Sequence, residues 1–84
     1  MHYVHVLKSK KDEHMYVGCT NNLQKRIAMH NKGNVISTRD RKPVALLFYE
    51  AFIDSDDAFS RERWLKTGWG RNRLRTMLRN TLKI

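Results

Sequence analysis

The chain has 84 residues, with 17 Lys+Arg against 8 Asp+Glu and a formal net charge of +9 at pH 7. That length suits one small domain, two or three helices on a short sheet, and that charge points to a polyanionic partner, nucleic acid or an anionic membrane face. No apolar run approaches the roughly 20 residues a spanning helix needs, and the start "MHYVHVLKSKK" lacks the apolar region of a secretory leader.

In chain order, "HYVHVL" (2–7) is rich in β-branched and aromatic residues, "SKKDE" (9–13) is turn-like and "HMYVG" (14–18) resumes extended character, which together predict a β-hairpin. Cys19 is the single cysteine. It excludes an intrachain disulfide and a cysteine-pair zinc site, so a reducing cytoplasm is the expected setting. "TNNLQKRIAMHNKGN" opens with Thr20 and two asparagines as candidate caps and closes at Gly33, predicting a first helix. Residues 34–42 read as a basic loop. "PVALLFYEAFI" (43–53) reads as a strand whose nearly continuous apolar run predicts cover on both faces. Ser55, with Asp56 and Asp57 in the first turn, opens a helix running to about Lys66. A third helix is expected after Gly70. With no repeat or low-complexity tract, the chain reads as one α/β domain over residues 1–84, of order ββαβαα.

Glu62 is the most informative single residue. At about 100° per residue, with Ala58 at zero, Leu65 falls at about −20°, Glu62 at about +40° and Phe59 at about +100°. The carboxylate therefore lies in the apolar arc of its helix, where it must meet an arginine, neutralise itself or hold a cation. It is the only acid between Arg61 and Ile84, a segment otherwise rich in Lys and Arg. A structural ion pair with one of those arginines is the plain alternative to a metal or catalytic role. On the first helix, with Leu23 at zero, Ile27 falls at about +40°, His30 at about −20° and Arg26 at about −60°. Arg26 and His30 so share the border of the apolar face, where a cleft lining would lie. Alternatively Arg26 lays its stem over the core and His30 caps the last turn. Tyr3 and Tyr16 are strand aromatics, a type that usually packs.

The segments "YVHVL" (3–7), "MYVG" (15–18), "NNLQKRIAMHNKG", "PVALLFYEAF" and "AFSRERWLKTGW", in that order and followed by a basic tail, resemble a compact single-domain GIY-YIG endonuclease. The likeness extends to the N-terminal nuclease module of excision-repair nucleases. Tyr16-Val17-Gly18 stands for the second half of the family signature and Tyr3-Val4-His5 for the first. The resemblance implies a small three-stranded antiparallel sheet flanked by helices. It also implies cleavage of a DNA phosphodiester with a single divalent cation, Mg²⁺ or Mn²⁺, held by Glu62. Arg26 would face the scissile phosphate, Tyr16 would position or deprotonate water, and His30 would hydrogen-bond within the site. Gly18 would let backbone approach the substrate closely. A free tyrosine, with pKa about 10, is a poor base at neutral pH and needs help from its neighbours.

The chain departs from the family pattern at His5, which stands where the first motif ends in a tyrosine. Imidazole is a replacement base or the mark of lost activity, and Tyr3, on the same face of the strand, offers a substitute hydroxyl. The lysine that some relatives carry after the second motif corresponds here to Cys19. Asn72 is the nearest counterpart of an asparagine that some relatives use.

For binding, Lys25, Lys32, Arg39, Arg41 and Lys42 are expected to flank the site, and Arg71, Arg73, Arg75, Arg79 and Lys83 to run along the last helix, which keeps Leu74, Met77, Leu78 and Leu82 for packing. Trp64 and Trp69 are candidates for base stacking, with core or surface-anchor roles as the alternative. Three readings stand: a metal-dependent DNA endonuclease in repair or recombination, a catalytically silent nucleic-acid-binding module, and an adaptor for acidic proteins. The last explains neither Glu62 nor the ordered match. So short a chain leaves little room for sequence readout, so recognition of DNA shape or a partner protein supplying specificity is expected.

Overall fold

A computed structural model describes residues 1–83. Strands β1 (His2–Ser9), β2 (Met15–Thr20) and β3 (Val44–Phe52) form one antiparallel sheet of order β2-β1-β3. Helices α1 (Leu23–Asn31), α2 (Ser55–Leu65) and α3 (Gly68–Met77) flank it, with short 3₁₀ turns at Ile36–Thr38 and Thr81–Lys83. This is the α/β arrangement expected from the sequence.

The strand covered on both faces is β1, the central one, rather than β3. Val4 and Val6 are buried on one face and His5 and Leu7 on the other, the alternation that a pleated strand imposes. β3 lies at the sheet edge, so its apolar run is half-buried and Tyr49 is exposed. Its pairing with β1 slips between Val6 and Leu7.

Val4, Val6 and Val17 meet Ala58, Leu65, Leu74 and Leu78 from α2 and α3 in the main core. Each buried Val or Leu there contributes about 1.5–3 kcal/mol. α1 covers the opposite face, where His30 lies edge-on to His5, ring centroids 6.2 Å apart. Asn31 fastens the end of α1 to β3: its side chain accepts from Val44 N–H at 2.8 Å and donates to Val44 C=O at 3.2 Å.

α1 and α2 start where expected, and α3 does not. Asn22 caps α1, accepting from Lys25 N–H at 3.1 Å, while Thr20 ends β2. Asp54 caps α2 and Ser55 is its first residue. Thr67 caps α3, accepting from Gly70 N–H at 3.1 Å, so that helix begins before Gly70. Gly70 is buried within α3 because a Cβ there would run into the main chain of Trp64 and Leu65. Gly33 follows α1 at φ 79°, a left-handed conformation that favours glycine. Among the described residues no helix is long and apolar enough to cross a membrane.

Candidate functional site

A cavity of about 870 Å³ opens across the β2 edge of the sheet and collects residues from both faces. His5, Tyr16 and Gly18 come from the strands, Arg26 and His30 from α1, Glu62 and Lys66 from α2, and Arg71 and Arg75 from α3. Residues far apart in the chain, from His5 to Arg75, thus bring together most of the side chains singled out in the sequence.

His5 and His30 form the floor, only 1% and 4% exposed. His5 sits opposite Gly18 in the β1–β2 register, and its ring fills the space a side chain would take there: a Cβ on Gly18 would lie 2.7 Å from His5 Nε2. The glycine is therefore demanded by the imidazole over it, where the family resemblance implied only a close approach of substrate. Burial lowers the His5 pKa to about 4, with smaller contributions from His30, Arg26 and Lys66. His30 is also lowered, by burial first and then by Arg26. Both rings are neutral at pH 7. His30 Nδ1 and Thr38 Oγ1 are 2.6 Å apart, which fixes that ring from the 3₁₀ turn after α1. Among the described residues, His5 Nδ1, His30 Nε2 and Arg26 Nε are buried with no protein partner. Such groups are costly to leave unpaired, so three of them at one cavity mark a place for water or a polar ligand.

Tyr16 has a defined partner. Its hydroxyl donates to Asp12 Oδ2 at 3.3 Å, and the same carboxylate pairs with Arg41 Nε at 2.9 Å. The Asp12 carboxyl is held below its usual range, first by the His14 backbone N–H. Glu62 pairs with Lys66 Nζ at 3.2 Å, one helical turn on, and not with an arginine; the Glu50–Arg61 contact, at 2.8 Å, is the one that uses the neighbouring arginine. Glu62 lies on the edge of the buried arc, since Ala58 and Leu65 are buried and Phe59 is exposed. Burial first, then Glu62, pushes the Cys19 thiol up, so it stays protonated.

Several expected residues stand outside the cavity. Tyr3 stacks edge-on against Tyr49, centroids 5.9 Å apart. Arg41 is engaged by Asp12. Lys25, Arg39, Arg73 and Asn72 are exposed away from the lining, and Asn72 accepts from Arg75 Nη1 at 3.1 Å. Lys66 and Asp12 were missed in the sequence. Their signals were present as spacing, Lys66 four residues after Glu62 and Asp12 four before Tyr16, but one rests on helical pairing and the other on a turn folding back.

Residues 1–75 match the model of the GIY-YIG catalytic domain. The chain belongs to the GIY-YIG family. The UPF0213 protein CPE1444 of Clostridium perfringens is 49% identical to it over 67 residues, covering 79% of this chain and 71% of that one. The UPF0213 protein SH2523 of Staphylococcus haemolyticus is 42% identical over 67 residues, 79% and 80% of the two chains. The solution structure of the UPF0213 protein BH0048 of Bacillus halodurans superposes with TM-score 0.57 at 30% identity, over 90% of this chain and 83% of that one. Membership in the GIY-YIG family implies nuclease-type function.

The donor set of this GIY-YIG cavity discriminates among metals. Among the described residues no three His, Cys, Asp or Glu side chains gather as a metal cage, which argues against a closed zinc-type site. The Glu62 carboxylate, which lines the cavity with Glu13 and is paired with a half-exposed lysine, fits an ion of the Mg²⁺ type, which keeps several waters and binds through one or two carboxylates plus substrate phosphates.

Proposed function

We propose that the chain is a metal-dependent DNA endonuclease that hydrolyses phosphodiester bonds in repair or recombination in a reducing cytoplasm. The observation that carries this reading is the meeting of three unpartnered buried nitrogens, on His5, Arg26 and His30, with the Glu62 carboxylate around one cavity. Glu62 would hold Mg²⁺ or Mn²⁺, which when bound would polarise phosphate oxygens and make water more acidic. Arg26 faces the scissile phosphate and stabilises the charge that grows on it. Tyr16, its hydroxyl held by Asp12, positions the attacking water. His5, neutral across the physiological range, would accept the water proton as the new P–O bond forms, and the departing O3′ would take a proton from solvent as the P–O3′ bond breaks. His30, its Nε2 without a protein partner among the described residues, would hydrogen-bond within the site. Lys25, Arg39, Arg71, Arg73 and Arg75 hold the DNA backbone, with recognition by shape and a partner protein adding specificity.

A second reading, a catalytically silent nucleic-acid-binding module of the same family, is favoured by one observation: a His5 pKa of about 4 makes a weak base. One experiment separates the two. Plasmid and branched DNA are incubated with wild type and Glu62→Gln in Mg²⁺, Mn²⁺ or EDTA, while binding is followed by anisotropy. Metal-dependent cleavage lost in the variant, with binding retained, supports the endonuclease. A wild type that binds but never cuts supports the silent module, and a variant that cuts at the wild-type rate removes Glu62 as metal ligand.

A further inference from the structure

Asp12 belongs to the turn between β1 and β2 and stands behind Tyr16, outside the residues that line the cavity. Its main chain is set by Ser9, which is fully buried. Ser9 Oγ accepts from the N–H groups of Lys11 at 3.0 Å and Asp12 at 3.2 Å, and it donates to the Arg41 carbonyl. The two carboxylate oxygens of Asp12 then serve different partners. Oδ1 accepts from His14 N–H at 2.9 Å. Oδ2 takes both the Tyr16 hydroxyl and Nε of Arg41, which reaches it from the loop before β3.

A carboxylate can only accept, so the single proton of the Tyr16 hydroxyl is committed to Asp12 and the lone pairs of its oxygen are left for the cavity. The contact is long, at 3.3 Å; catalytic hydrogen bonds are often long before substrate arrives and tighten in the complex. That polarity decides what Tyr16 does. With its proton turned back it does not donate to a phosphate oxygen, but it accepts from a water. Tyr16 is two residues from Gly18, and His5 lies opposite Gly18 in the register, so the hydroxyl and the His5 ring share one face of the sheet. A water between them has one proton for Tyr16 and one for His5, which leaves a lone pair for phosphorus.

We propose that Asp12 is a positioning residue for phosphodiester hydrolysis: it turns the Tyr16 hydroxyl so that Tyr16 accepts a hydrogen bond from the attacking water. The inference rests on the endonuclease reading given above. It adds the polarity of the tyrosine and the residue, outside the cavity, that sets it.

Asp12→Asn is the main test because it keeps the shape of the side chain. His14 N–H still takes an oxygen, which fixes the amide oxygen at the Oδ1 place and puts the NH₂ at the Oδ2 place, where it donates to Tyr16 and turns that O–H toward the cavity. On plasmid DNA with Mg²⁺, kcat should fall about 10²-fold with KM nearly unchanged, the scale of loss that misplaced reacting groups produce. In a Tyr16→Phe background the same change should cost less than about twofold, since a residue that acts through another adds nothing once that group is gone. With ¹³C-labelled tyrosine, the Cζ signal that Tyr16→Phe removes should shift in Asp12→Asn while those of Tyr3 and Tyr49 stay. Asp12→Ser, whose hydroxyl accepts from His14 N–H but is too short for Tyr16, should lose the same rate and serves if thermal unfolding shows Asp12→Asn to be damaged. Losses that multiply in the double variant, a wild-type kcat in Asp12→Asn, or an unmoved Tyr16 signal would each overturn the role of Asp12. A wild type that cuts no DNA with any metal fails the endonuclease reading and the positioning role with it, an outcome distinct from an active enzyme indifferent to Asp12.

Discussion

Gly18→Ala is the sharpest probe of how the site is built. The new methyl would meet His5 Nε2 at 2.7 Å and Cε1 at 2.9 Å, closer than carbon approaches such atoms, and the ring cannot swing away because His5 is 1% exposed. Overpacking of this kind costs about 1–3 kcal/mol, and the removal of a strand glycine returns about 0.5–1 kcal/mol. A net loss of about 1–2 kcal/mol lowers Tm by about 5–15 °C in a domain of this size. Urea and thermal unfolding at pH 7 read it directly. The decisive arm is a double-mutant cycle: His5→Ala removes the obstructing ring, so Gly18→Ala should be nearly harmless in that background, with a coupling of about 1–3 kcal/mol. Additive losses would show that Gly18 is needed for something other than the imidazole and refute the packing argument.

Acid should destabilise the fold through its buried histidines. Because the folded His5 pKa lies at about 4 against 6.5 unfolded, the unfolded state binds more protons, so stability is lost as pH falls from about 6.5 toward 4, by about 3 kcal/mol in full. His30 acts in the same direction. His5→Asn should flatten that slope in urea titrations, and an unchanged slope would remove His5 as its source. Arg26→Ala is expected to slow turnover by about 10²-fold or more with little change in binding, whereas Arg73→Ala should weaken binding across DNA sequences and reduce the salt slope by about one. Equal effects confined to binding would count against a catalytic Arg26. Lys66→Met frees the Glu62 carboxylate from a pair worth about 0.3–0.5 kcal/mol, so Mn²⁺, followed by NMR line broadening near Glu62, should bind about twofold tighter; weaker binding would make Lys66 a support for the ligand instead of its competitor.

The elements of the fold were legible because each rests on a local signal: alternation in "HYVHVL", acids at the start of α2, a left-handed glycine after α1. The wheel that set Glu62 beside Leu65 and His30 beside Arg26 also survived, since helical periodicity alone decides which residues share a face. What the sequence withheld depends on neighbours in space. A continuous apolar run in β3 signals burial but not position, and the chain places β1 in the centre. The His5 ring over Gly18 needs the strand register, which no single strand contains. Tyr16 donating to Asp12, and Asp12 holding Arg41, need a hairpin turn and a later loop to meet. Tyr3 shares the His5 face as alternation requires, yet Tyr49 of the edge strand claims its ring.

Gly70 has a bearing beyond the turn it occupies. With no side chain between them, α3 rests directly on the backbone at the end of α2, and Thr67 closes the corner. The two helices therefore behave as one bracket, and the Glu62 carboxylate and the Arg71 and Arg75 guanidiniums ride on it together. A bracket of this kind keeps acid-to-cation spacing constant, and it faces a wall, α1, that is held separately by Thr38 and by the Asn31 clasp on β3.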